Sequence, residues 1–171
     1  FSNMLKEKGY DIVLELATNM QSNSKYHFYF SGKFFDVTLE NEFKHKISTM
    51  GNVTYFNGVY GEEKEQLLKK MHYFILPTSY KDETLPISML EAMANALYII
   101  VSDVGVVSEV VNDDTSHLLY SINEKTKFEI EEILLTTTSK IENIDYKVEK
   151  LRTLFSNEKI QEEIFNLLNT L

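Results

Sequence analysis

The chain has 171 residues, 43% of them hydrophobic, no cysteine and a formal net charge of -9. That length fits one domain with enough apolar mass for a packed core, and the lack of cysteine excludes disulfides and thiolate metal sites. The acidic balance argues against a nucleic-acid partner, and any anionic ligand has to be held by local cations and backbone amides.

Phe1-Ser2-Asn3 reads as the tail of a strand, and Met4 to Gly9 as a polar loop. Tyr10 to Met20 has helical spacing, with Ile12, Leu16 and Met20 on one face. His27 to Phe30 is strand-like and closed by Ser31-Gly32; a helix carrying Phe43 and Ile47 is expected between Asp36 and Ser48. Val53 to Phe56 reads as a strand, Glu62 to Met71 as a charged helix, and Tyr73 to Leu76 as a strand closed by Pro77. Pro86 to Asn95 is a helix, Tyr98 to Val101 a strand, Val107 to Val111 a short helix and Leu118 to Tyr120 a last short strand. Tyr73 to Leu76 and Tyr98 to Val101 are apolar without alternation, as strands buried on both faces are. The pattern predicts an α/β fold, a Rossmann-like parallel sheet with helices on both faces.

After Ser121 the character changes. Lys127 to Thr138, Tyr146 to Phe155 and Glu158 to Leu171 read as helices. The expected division is a Rossmann-like core over 1–121 and a helical segment over 122–171 packed on the same domain. No apolar run approaches the length of a membrane span and no signal peptide is visible, so a cytoplasmic chain is expected.

In an open parallel sheet, ligands bind outside the carboxyl ends of the strands. The loops on that rim are Ser2–Lys8, Ser31–Phe35, Asn57–Gly61, Pro77–Leu85 and Ser102–Val106. Gly9, Gly32, Gly58 and Gly105 fall in or beside them, where glycine either completes a turn or lets backbone amides approach a ligand. The most informative stretch is Glu83-Thr84-Leu85-Pro86-Ile87-Ser88-Met89-Leu90-Glu91. Pro86 suits the first turn of a helix. That helix is apolar nearly all round and is expected to be largely buried, with Glu91 its lone charge. A glutamate is almost never fully buried without a partner. Glu91 therefore either sits at a wet edge, accepts amides from the next loop, or faces the crevice and accepts hydrogen bonds from vicinal hydroxyls. Glu83 lies just before the helix start, where free amides make an anion site. The four histidines, His27, His45, His72 and His117, lack ligand spacing, and no metal site is expected.

These residues carry a resemblance. Glu83 and Glu91, with seven residues between them, match the paired glutamates of the retaining, two-Rossmann-domain glycosyltransferases of the large family 4 kind. Tyr73 to Ser79 resembles that family's apolar strand ending in Pro-Ser, and Glu91-Ala92-Met93-Ala94 its Glu-Ala-Met-Ala helix. Val101 to Gly105 with Glu109-Val110-Val111 resembles its next strand and turn, Val53 to Gly58 its V-x-F-x-G strand, and Lys8-Gly9 the pair opening its first helix. The ordered set runs from Phe1 to about Tyr120.

The resemblance implies the carboxy-terminal, donor-binding half of a GT-B enzyme, with the amino-terminal acceptor domain lying outside this sequence. It implies a nucleotide-diphosphate sugar as donor, no cofactor and no metal, and an isolated chain that is inactive. Membrane association, if any, would come through the other domain, and the process would be surface polysaccharide or glycoconjugate synthesis. It makes Glu83 the catalytic carboxylate beside the transferred sugar and gives the ribose hydroxyls to Glu91. It gives the diphosphate to Lys8 and to the Thr84, Leu85 and Ile87 amides around Pro86. The base would lie on Gly58, Val59 and Tyr60, with Gly32 also on the donor rim. The chain departs from the family in three places. Ser2-Asn3 stands where a second cation, an arginine, is usual; Lys6 or Lys33 could replace it, or both could be solvated surface lysines. Asn95-Ala96-Leu97-Tyr98 replaces a Gly- and Pro-bearing turn, and Asp114 and His117 occupy usual glycine positions. Two other readings are a nucleotide-sugar epimerase of the same architecture and a non-catalytic regulatory domain.

Overall fold

The computed structural model describes residues 1–111 and 115–141, with side chains through residue 137. Strands and helices alternate: a 3-10 turn at Lys6–Lys8, α1 (Tyr10–Asn19), β1 (Phe28–Ser31), α2 (Val37–Ile47), β2 (Val53–Phe56), α3 (Gly61–Leu68), β3 (Tyr73–Leu76), α4 (Ile87–Ala94), β4 (Tyr98–Ser102), α5 (Val107–Val110), β5 (Ser116–Leu119) and α6 (Thr126–Ile141). All strand pairs are parallel. Asp36 caps α2 by accepting from the Thr38 and Leu39 amides, which fixes that helix within one residue of its expected start. The sequence-expected helices over 146–155 and 158–171 lie outside the described residues.

The strands do not form one ladder. β1 pairs with β2, and β3, β4 and β5 pair in that order, as a two-stranded and a three-stranded sheet. Between β1 and β3 lies a cavity of about 520 Å³ walled by residues of both strands, among them Phe28, Phe30, Tyr73 and Ile75. Phe1-Ser2-Asn3, expected as a strand tail, forms no ladder, yet the Ser2 N–H donates to the Ser31 carbonyl (2.9 Å) beside this cavity.

Two apolar clusters hold the layers. One joins Leu16, Phe30, Phe43, Ile100, Leu119, Ile130 and Leu134, so α1, α2 and α6 share it with β1, β4 and β5. Rings of Tyr10, Phe30, Phe34, Phe43 and Tyr55 meet there mostly edge to face. The other joins Leu68, Phe74, Leu76, Met89, Ala92, Ile99, Val101 and Val107 on the opposite side of β3 and β4. β4 is buried along its whole length, as its unbroken apolar run requires. Helix α6 packs on α1 through Ile130 and Leu134, and the Tyr73 and Thr137 hydroxyls hydrogen-bond at 3.0 Å.

Helix α4 departs from expectation. Met89 and Ala92 are fully buried, but Ile87 is 74% exposed and Leu90 37% exposed, so one flank stays outside the core. Pro86 is the N-cap, with extended backbone, rather than the first helical residue. The helix ends in a Schellman arrangement, with the Leu97 N–H on the Ala92 carbonyl and the Ala96 N–H on that of Met93. That places Ala96 in the left-handed region at φ 62°, a conformation glycine adopts without cost.

Backbone strain yields a paired prediction. Gly9 has φ 76°, and an added Cβ would collide with the Pro77 carbonyl oxygen. Gly9→Ala is expected to lose roughly 1–3 kcal/mol in urea denaturation, whereas Ala96→Gly is expected to gain about 0.5–1 kcal/mol. A gain from the first or a loss from the second would contradict the strain assigned to these turns.

Candidate functional site

The carboxyl rim of the larger sheet is assembled by loops that lock together. After β3, the fully buried Pro77 and Thr78 turn the chain across the 3-10 turn. The Glu7 carbonyl accepts from the Ser79 N–H (2.7 Å) and from the Thr78 hydroxyl (3.0 Å), and the Thr78 Oγ1 in turn accepts from the Tyr80 N–H. After β4, Gly105 lies so close to Thr84 that a side chain would strike the Thr84 carbonyl, which accepts from the Val106 N–H at 3.0 Å. The loop bearing Glu83 is thus pinned on one side by the turn before α1 and on the other by the turn before α5.

This packing brings together two residues 75 positions apart. The Lys8 ammonium donates to the Glu83 carboxylate, with 16% and 11% of their side chains exposed, and lies 4.7 Å from the Tyr80 ring centroid. The second glutamate is also paired: the Lys64 ammonium, from α3, donates to Glu91, with side-chain exposures of 19% and 39%. Of the positions open for Glu91 from sequence, the structure gives a partly wet edge with a lysine partner. The N–H groups of Thr84, Leu85 and Ile87 donate to no other group among the described residues, so the start of α4 has free donors.

The remaining sequence-expected residues occupy different settings. Gly58, at φ 85°, follows β2 and packs on the Tyr60 ring; Val59 is buried, and Tyr60, 67% exposed, precedes α3. Gly32 follows β1, where a side chain would strike the Ser2 backbone. Tyr60 presents a ring to solvent, whereas Val59 offers only backbone to a ligand. Lys64 and Tyr80 were not singled out from sequence. Lys64 sits in Glu62-Glu63-Lys64-Glu65, which reads as a solvated helix face, and only the α3–α4 packing reveals its partner. Among the described residues, no three His, Asp or Glu side chains are grouped to hold a metal ion, and no helix is long and apolar enough to cross a membrane.

Parallel strands with interleaved helices define a Rossmann-like domain, with two lysine–glutamate pairs at its carboxyl rim. The family model for glycosyl transferases group 1 matches residues 1–163, and the chain belongs to that family. A search of the curated proteins by sequence returns no match. Among solved structures, the chain is similar to the pneumococcal O-GlcNAc transferase GtfA in complex with UDP and GlcNAc, at 15% identity and TM-score 0.70, covering 99% of this chain and 35% of that one. It is also similar to the C-terminal domain of the group 1 glycosyl transferase LpcC from Francisella tularensis, at 16% identity and TM-score 0.69, covering 94% of this chain and 84% of that one. A third is WaaG, a glycosyltransferase involved in lipopolysaccharide biosynthesis, at 16% identity and TM-score 0.65, covering 91% and 41%. These likenesses establish a GT-B-type carboxy-terminal fold. The chain spans about a third of GtfA and most of the single-domain LpcC structure.

The Lys8–Glu83 pair is largely shielded from water, so removing one partner strands the other charge. In a double-mutant cycle of Lys8→Ala and Glu83→Ala read by urea denaturation, a coupling of about 1–3 kcal/mol is expected. Strict additivity would show that the two charges are solvated independently.

Proposed function

We propose that this chain is the donor-binding domain of a retaining glycosyltransferase. The parent enzyme would move a hexosyl unit from a nucleotide-diphosphate sugar to a saccharide or lipid-linked acceptor, in surface polysaccharide or glycoconjugate synthesis. The observation that carries this reading is the Lys8–Glu83 pair on the loop that leads into α4, whose start has free amides, with the Lys64–Glu91 pair farther along the same helix. A nucleotide sugar has an anionic diphosphate between two hydroxyl-rich rings, and this rim offers cations and amides beside acceptor carboxylates.

In this proposal the diphosphate docks on the Thr84, Leu85 and Ile87 amides, and Lys8 turns from Glu83 toward it. The ribose diol donates to Glu91, and the base lies along Gly58, Val59 and Tyr60. As the bond from the anomeric carbon to the diphosphate oxygen breaks, positive charge develops on the sugar and negative charge on the leaving group. A Glu83 carboxylate held against the sugar favours that state over the ground state, while Lys8 and the amides favour the departing diphosphate. The proposed reaction needs no metal or other cofactor. The acceptor and the remaining catalytic contacts would come from a second domain, because donor contacts alone place no nucleophile; the isolated chain is proposed to bind donor without turning it over. The neutral sum of the two ion pairs means that affinity depends on breaking one of them.

Three substitutions test the assignment. By calorimetry with nucleoside diphosphates, Glu91→Ala is expected to leave the fold intact, with a lower melting temperature because Lys64 loses its partner, and to weaken binding by about 1–3 kcal/mol, and Lys8→Ala to flatten the dependence of affinity on salt. Unchanged affinity in the first and an unchanged salt slope in the second would remove these residues from the site. Glu83→Gln is expected not to weaken affinity for the nucleoside diphosphate alone, since that ligand has no sugar and Lys8 no longer has to leave a carboxylate to reach it, yet to cut turnover of the two-domain enzyme on the order of a hundredfold or more. Near-normal turnover would defeat the catalytic role.

A further inference from the structure

Glu91 differs from Glu83 in the way its charge is held. Glu83 is balanced by a lysine that the proposed chemistry takes away toward the diphosphate. Glu91 is balanced by Lys64, which lies on α3 and belongs to none of the groups assigned so far. Helix α4 supplies no other charge near Glu91: its residues are Ile87, Ser88, Met89, Leu90, Glu91, Ala92, Met93 and Ala94. With Glu91 39% exposed, a glutamate side chain there would sample several rotamers unless something fixed it.

We propose that Lys64 is a positioning residue for a ribose diol, holding the Glu91 carboxylate in the orientation that receives vicinal hydroxyls. This deepens the donor-site reading above and rests on it. The lysine is itself well held. Its side chain is four-fifths buried, its stem leaves α3 one turn after the Tyr60 cap, and its ammonium lies 5.9 Å from the Phe1 ring centroid. It engages one carboxylate oxygen, Oε2, leaving Oε1 and the remaining lone pair of Oε2 to accept two adjacent hydroxyls. A 2′-deoxyribose lacks one of those donors, so a fixed carboxylate discriminates against it more strongly than a mobile one does. Lys64 is therefore expected to set the preference for ribonucleotide over deoxyribonucleotide rather than phosphate affinity.

The test is calorimetric titration of the protein with UDP, GDP and ADP, each beside its 2′-deoxy counterpart, using the pair that binds most tightly. The unsubstituted protein is expected to prefer the ribonucleotide by about tenfold. Lys64→Ala and Lys64→Gln are both expected to bring that ratio below about threefold, chiefly by weakening the ribonucleotide, and Lys64→Arg to keep most of it. Circular dichroism melts identify any variant that fails to fold, and the three substitutions keep the comparison open if one does. A ratio unchanged in Lys64→Ala and Lys64→Gln overturns the inference while leaving the donor site standing. Equal weakening of ribo- and deoxyribonucleotide, with a flattened salt dependence, also overturns it and makes Lys64 a phosphate cation. No binding of any nucleoside diphosphate by the unsubstituted protein overturns the donor-site reading, and the role of Lys64 with it.

Discussion

Backbone lies on backbone at the turn before α1, where Gly9 sits against the Pro77 carbonyl, and the arrangement of the rim depends on that contact. No side chain fits between them, so the 3-10 turn and the loop after β3 form one rigid corner. Because Glu7 accepts from both Thr78 and Ser79 across the same corner, the direction of the next side chain, Lys8, is fixed as well. The Lys8–Glu83 pair is a consequence of this packing, and its partial burial gives both charges a strength that solvated side chains would lack.

The same principle recurs after β4. Gly105 approaches Thr84 as closely as backbone allows, and the Val106 N–H ties to the Thr84 carbonyl. Glu83 is thus held between two glycine corners while α4 begins just beyond it. In the proposed reaction, a loop held in this way would present its amides and carboxylate with little reorganisation as charge develops. Stability is given up nearby: Ala96 takes a left-handed conformation that its Cβ resists. The unbroken apolar run of β4, starting two residues later, fixes where the chain must turn.

The acidic net charge and the basic contacts of the site are compatible because they act at different ranges. At physiological ionic strength, charges farther apart than about 8 Å are largely screened. For the proposed anionic ligand, the two partly buried lysines at the rim would therefore count for more than the surface carboxylates do. Each is held by a glutamate, which keeps the rim neutral and the lysines ordered; in the proposed site a diphosphate competes for Lys8 alone, and Lys64 stays on Glu91.

Sequence alone determined the alternation of strands and helices, the extents of α2, β2 and β3, and the placing of Lys8 and Glu83 in loops on one rim. Those features follow from local periodicity, caps and turn residues, and each is encoded within a few positions. It did not determine that the strands pair as two sheets around a cavity, since pairing depends on which backbone edges meet. Nor did it determine that α4 keeps Ile87 and Leu90 outside the core, because an apolar residue does not state what covers it. The partner of Glu91 was hidden for the same reason: Lys64, 27 positions away in an acidic helix, looks like any surface lysine until α3 packs beside α4. Residue types and their spacing are properties of the chain, but the pairing of two charges is decided by how close folding brings them and how much water it leaves between.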